Sequence, residues 1–279
     1  MSGKPSSRVA LVTGAAGIIG PAIVKKLKAE GWLVVASDRD EESFKWREQV
    51  LGKPLPADLQ ILSDLSQSGA PAELVTHVVN QMGSLDAVIH AAAINHNHRL
   101  DDLDDAHANK EWSVNFLAAL QLARSARPWL RFGPGSLVFF SSVRTDAPRV
   151  DSLIYSSTKA ALEMATGILA GEFLEEGIRV NTLRIGVVPG DAFLRSELAG
   201  TPNEQIGESV SYALKVHLEK ARKTLGNACV GTPEEIADFV SFCVDPRRRF
   251  LNGSVLTLDG GYLARMPGTK NENTISYGN

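Results

Sequence analysis

The sequence predicts an α/β fold: a single doubly wound domain with a seven-stranded parallel sheet and helices on both faces. Three observations predict it. Short β-branched or apolar runs alternate with longer stretches of helical period. A glycine-spaced turn, Thr13-Gly14-Ala15-Ala16-Gly17-Ile18-Ile19-Gly20, joins the first run to the first helical stretch. The second run ends on an acid, Asp38.

Strands are predicted near 8–13, 32–37, 59–62, 85–91, 135–141, 178–184 and 254–258, and helices near 18–30, 41–51, 70–82, 105–130, 154–176 and 233–244. Val9-Ala10-Leu11-Val12 is wholly apolar, as a strand covered on both faces must be. Gly31 closes the first helix and Pro71 opens the third, while Thr232-Pro233-Glu234-Glu235 reads as N-cap, first position and acidic first turn of the last. Residues 189–231 break the rhythm with Pro-Gly and a charged amphipathic stretch, and are predicted to be a substrate lid. The domain is expected to span 1–265, with 266–279 a polar tail.

Composition narrows the function. A chain of 279 residues with 44% hydrophobic residues buries a large core without staples. Its formal net charge of −3 offers no basic field to nucleic acid or an anionic membrane, so a small-molecule ligand is the expected partner. Cys229 and Cys243 form no C-x-x-C pair, and no zinc set or disulfide framework is expected. With no signal-peptide pattern and no apolar run of spanning length, a cytoplasmic location is expected.

The glycine turn between a strand and a helix suits a dinucleotide, because small residues let the backbone approach a pyrophosphate and the helix N-terminus offers free N–H groups. Asp38, eighteen residues past Gly20, is placed to accept the adenosine ribose hydroxyls. Its charge repels a 2′-phosphate and favours NAD as cofactor, whereas Arg39 beside it either pairs with such a phosphate or is a solvated arginine. Asp64-Leu65 after the third strand either meets the adenine or caps a helix.

Tyr155 and Lys159 are four apart on a helix and share a face. An ammonium beside a phenol favours phenolate, lowering a pKa that is otherwise near 10.

Together with Asn115 and Ser142, in this order and spacing, these residues resemble the short-chain dehydrogenase/reductase family, over about residues 8–263, including Arg179-Val180-Asn181 and Leu258-Asp259-Gly260-Gly261-Tyr262. The resemblance implies a Rossmann-type fold and an NAD-dependent enzyme acting on a secondary alcohol or its carbonyl. It makes Tyr155 the general acid/base and Ser142 the group that holds the substrate oxygen. Lys159 would bind the nicotinamide ribose, and Asn115 would orient a water leading from Lys159 to solvent. The cofactor would lie along Gly14, Gly17, Ile18, Ile19, Gly20, Asp38, Arg39, Asp64, Leu65, Ala91, Ala92, Tyr155, Lys159, Gly186 and Val188. A homotetramer or dimer built on the helices carrying Asn115 and Tyr155 is also implied.

The sequence departs from the family in three places. Gly17-Ile18 gives the glycine spacing of the extended branch, which includes sugar-nucleotide epimerases; His90-Ala91-Ala92-Ala93 replaces the usual Asn-Asn-Ala-Gly; and Ile185-Gly186 replaces Pro-Gly. An NAD-retaining epimerase or dehydratase and a non-catalytic nucleotide-binding regulator therefore stand as alternatives, the second opposed by the intact Asn-Ser-Tyr-Lys set. For the substrate, Arg144 suits an anionic group by forked hydrogen bonds, or is a loop or subunit-contact arginine. His96, with His98 at the rim of the fourth strand, suits hydroxyls of a sugar or polyol, or belongs to an ordinary surface loop. The i, i+2 histidines lack a partner set, and Asp101-Asp102-Leu103-Asp104-Asp105 lacks the pattern of a calcium loop, so no metal is expected.

Overall fold

The computed structural model describes residues 7–188, 219, 223 and 229–265. Seven parallel strands form one sheet in the order β3-β2-β1-β4-β5-β6-β7. They are β1 (Val9–Thr13), β2 (Leu33–Asp38), β3 (Leu59–Leu62), β4 (Ala87–His90), β5 (Ser136–Ser142), β6 (Arg179–Ile185) and β7 (Val255–Leu258). The helices are α1 (Gly20–Ala29), α2 (Glu41–Leu51), α3 (Ala70–Met82), α4 (Asp105–Trp112), α5 (Ala118–Leu130), α6 (Leu153–Glu172) and α7 (Pro233–Val244).

Strand periodicity sorts side chains into two cores. Leu11, Val88, Leu137 and Phe139 face α3, α5 and α6, while Ala10, Val12, Ile89, Val138 and Phe140 face α1 and α7. At α7, Thr232 caps as predicted, its Oγ1 accepting the Glu235 N–H and Glu235 Oε2 accepting the Thr232 N–H. Two sequence motifs tie the last strands together. Asn181 bridges to Leu251 and Ser254, and Asp259 accepts the N–H groups of Gly261 and Leu263.

Three predicted helices differ. The first starts at Gly20 rather than 18, because residues 14–19 are spent on the turn. The stretch predicted over 105–130 is two helices joined by a π turn, Ser113–Leu117, which inserts one residue into the ladder and carries Asn115. The stretch over 154–176 ends at Glu172 and closes in a tight 3₁₀ turn, Leu174–Glu176. Apart from residues 219, 223 and 229–231, the proposed lid lies outside the described residues, as does the tail.

Candidate active site

Strand order turns back between β1 and β4, and there the chain leaves a cleft of about 360 Å³. Gly14, Gly17, Asp38, Arg39, Asp64, Leu65, Ala91 and Ala92 line it together. Gly14 has φ +68°, and a Cβ there would lie 2.5 Å from the Ala92 nitrogen; a Cβ on Gly20 would lie 2.4 Å from the Gly14 carbonyl oxygen. This cradle of bare backbone fits a dinucleotide pyrophosphate. Ile18, Ile19 and Gly20 are not among the cleft-lining residues: Gly20 is buried at the start of α1, and Ile19 packs on the α1 core. Gly186 and Val188 line another cleft, at the ends of β6 and β7, where Gly186 backs against Asp259.

Asp38 accepts the N–H groups of Ala16 and Arg39, each at 2.8 Å. Burial pushes its carboxyl above the usual range, against the pull of those N–H groups. Each oxygen keeps a lone pair for a ligand. The Arg39 guanidinium is turned to Asp40, at 2.6 Å, and Asp64 caps the turn at Ser66.

Along the same C-terminal edge of the sheet, at the end of β5, Ser142, Tyr155 and Lys159 converge. The Ser142 hydroxyl accepts the Arg144 N–H at 3.2 Å and lies close enough to the Tyr155 phenol to favour its ionised form. Burial raises the phenol's pKa, Ser142 and the Arg144 charge lower it, and the Glu111 charge raises it. Lys159, 3% exposed, donates to the Phe140 carbonyl at 2.8 Å and stands 5.5 Å from the centre of the Tyr155 ring. Burial brings its pKa down to about 8. Ser142 and the Arg144 charge thus act on the phenol beside Lys159.

Asn115 is fully buried. Its Oδ1 accepts the Ile94 N–H at 2.9 Å, and its Nδ2 donates to the Ile94 carbonyl at 2.9 Å and to Thr158 Oγ1 at 3.2 Å. Both amide hydrogens are used, so its side chain acts by holding the loop after β4. His90 is also buried. Val114 carbonyl oxygen can only accept, so Nε2 carries the proton and Nδ1 accepts from Thr13 Oγ1. Burial and the Lys159 charge bring its pKa down to about 4, keeping it neutral.

A family model described as enoyl-(acyl carrier protein) reductase matches residues 14–263. The chain belongs to the short-chain dehydrogenase/reductase family. An uncharacterised oxidoreductase of Methylorubrum extorquens is 30% identical, the match covering 92% of this chain and 98% of that one. In structure, the chain is similar to the L-sorbose reductase of Gluconobacter frateurii, solved with NADPH and L-sorbose, at a TM-score of 0.78 and 26% identity over 94% of this chain and 98% of the other. It is also similar to a short-chain dehydrogenase of Burkholderia cenocepacia in complex with NADP, at a TM-score of 0.73 and 27% identity over 92% and 98% of the two chains. The protein is an oxidoreductase acting on CH–OH groups, and the epimerase and regulator alternatives give way to that.

In this short-chain dehydrogenase/reductase, some supporting residues were not legible in the sequence. Arg47 of α2, 4% exposed, donates to the Ala16 carbonyl at 2.9 Å and braces the glycine turn. Glu163 of α6 receives Arg184 of β6 at 2.8 Å and the Ser141 hydroxyl, steadying the strand end that carries Ser142. Glu111 of α4 accepts the His96 N–H at 2.6 Å and faces its Nδ1 at 3.2 Å. The His96 ring stacks on His107, with centroids 4.4 Å apart, and His98 lies 5.5 Å from His107. A buried helical glutamate has no periodic signature; only its partners reveal it. No group of three or more His, Cys, Asp or Glu is set to hold a metal among the described residues.

Proposed function

We propose that this enzyme uses NAD to interconvert a secondary alcohol and its ketone on a polar, anionic or sugar-like substrate, with Arg144 receiving an anionic group where the substrate carries one. The convergence of Ser142, Tyr155 and Lys159, with the Ser142 hydroxyl acting on the phenol and Lys159 5.5 Å from its ring centre, carries the reading. The nicotinamide, when bound, exchanges a hydride with the substrate carbon. During reduction the Tyr155 hydroxyl gives its proton to the carbonyl oxygen, and during oxidation the phenolate takes it back. Ser142 holds that oxygen beside the phenol. In this reading Lys159 binds the nicotinamide ribose, and near pH 8 its charge is titratable.

NAD rather than NADP is supported by the acids along the adenosine end of the cleft, Asp38, Asp40, Glu42 and Asp64, and by Arg39 being engaged with Asp40. A 2′-phosphate there meets charge repulsion. An assembly through α5 and α6 is supported by exposed Leu117, Trp129, Met164 and Ile168. No helix of the described residues is long and apolar enough to cross a membrane, which accords with a cytoplasmic enzyme.

The test is reduction of NAD and NADP by the wild-type protein across neutral polyols, hydroxy acids and sulfonated alcohols, with Tyr155→Phe as control. Turnover with NAD that Tyr155→Phe abolishes supports the reading. Turnover that survives the substitution sinks the role of Tyr155, and a preference for NADP sinks the cofactor assignment.

A further inference from the structure

A small pocket, walled by Ile154 next to Tyr155 in sequence and by Arg99, Glu111 and two histidines among others, is not used by the reaction above. It is bounded by the loop after β4, by α4 and by Leu153 and Ile154 at the start of α6. Glu111, 1% exposed, spends Oε1 on His96, while its Oε2 is buried without a hydrogen-bond partner. His98 also lines the pocket, and its Nε2 is likewise buried and unpartnered. Leaving such groups unsatisfied costs stability, most of all for a carboxylate.

The free space is about 10 Å³, room for about one water-sized oxygen. Its two poles select the occupant. A carboxylate oxygen only accepts, and a neutral imidazole that carries its proton on Nε2 donates there. A hydroxyl satisfies both at once, giving its hydrogen to Glu111 and accepting from His98. A carbonyl oxygen has no hydrogen to give, an ammonium no lone pair to accept with, and an anion is repelled by Glu111. The histidine rings are held in place: His98 lies against His107, whose Nδ1 is 3.0 Å from Asp104 Oδ2. Ile154 on the pocket wall directly precedes Tyr155, and the Glu111 charge acts on the Tyr155 phenol.

We propose that Glu111 Oε2 and His98 Nε2 form a subsite for one hydroxyl of the substrate, which makes the substrates polyhydroxy compounds bearing a hydroxyl beyond the one that reacts. The inference rests on Tyr155 being the acid/base, as read above.

The experiment measures kcat/KM of the wild type, Glu111→Gln and His98→Phe on a ketohexose and on each of its monodeoxy analogues. Glu111→Gln keeps an oxygen for His96 and turns the pocket's acceptor into a donor. Dinucleotide binding by each variant, followed by cofactor fluorescence, reports that the fold is intact. Expected is one deoxy analogue that the wild type uses about tenfold less well than the ketohexose. Both variants should lose about the same factor on the ketohexose and nothing further on that analogue. A loss equal for the ketohexose and every analogue means that the pocket holds only water, and overturns the subsite. A wild type that reduces other carbonyl compounds but no ketohexose overturns it too, while leaving the oxidoreductase reading intact; one that reduces none overturns both.

Discussion

Glu111 and Asn115 stand one helical turn apart, and each grips the loop that leaves β4. Glu111 takes the N–H of His96, and Asn115 takes both backbone groups of Ile94. Four residues along a helix thus match two along an extended chain, and the wall of the active site is set by that match. The π turn at Ser113–Leu117 shifts Asn115 into this position.

Asn115→Ala leaves the Ile94 N–H and carbonyl without their partner and should destabilise the protein by about 3 kcal/mol. Denaturant unfolding measures the loss, and amide exchange at Ile94 should rise with it. A loss under about 0.5 kcal/mol would show that the loop is held by other means.

Gly14→Ala should weaken dinucleotide binding at least about tenfold, because the new Cβ meets backbone 2.5 Å away that cannot rotate aside. Gly31 is the control. It too has a positive φ, +82°, but nothing lies within 4 Å, so Gly31→Ala carries only the strain of about 1 kcal/mol and leaves binding unchanged. Titration of cofactor fluorescence separates the two, and equal effects would refute the close-approach argument.

His90 makes stability depend on pH. Its pKa is about 4 in the folded chain and near 6.5 when unfolded, so between these values the unfolded chain binds more protons and stability rises with pH. On acidification from 6.5 to 4 the fold should lose about 3 kcal/mol through this residue, at about 1.4 kcal/mol per pH unit. His90→Asn should flatten the stability profile over that window. An unchanged slope would assign the acid sensitivity to other groups.

The Arg144 charge lowers the pKa of the Tyr155 phenol. Arg144→Ala should therefore move the limb of the kcat/KM profile that reports the phenol to higher pH, and raise KM for anionic substrates about tenfold with little change for neutral ones. If neither moves, the guanidinium serves only its contact with the Ala147 carbonyl.

Much of this was visible in the chain. Helices at 41–51, 70–82 and 233–244 and the strand at 59–62 were predicted to the residue, because apolar periodicity and the punctuation of Gly, Pro and caps are local. The glycine turn and Asp38 were legible for the same reason, their spacing being read along one β-α-β unit. The helix over 105–130 was read as continuous because a π turn keeps helical periodicity nearly intact, and only hydrogen-bond registration exposes it.

By itself the sequence determined the order of elements, the glycine turn between β1 and α1 and the family's set of Asn115, Ser142, Tyr155 and Lys159. Tertiary structure decided what those groups experience. Asn115 holds a loop, Ser142 and Arg144 pull on the phenol, and Glu111 keeps one buried oxygen unpaired beside His98. Spacing along a chain is set by local covalent geometry and can be read from residue order, whereas burial, charge and pairing depend on which distant segments the fold brings within a few ångströms.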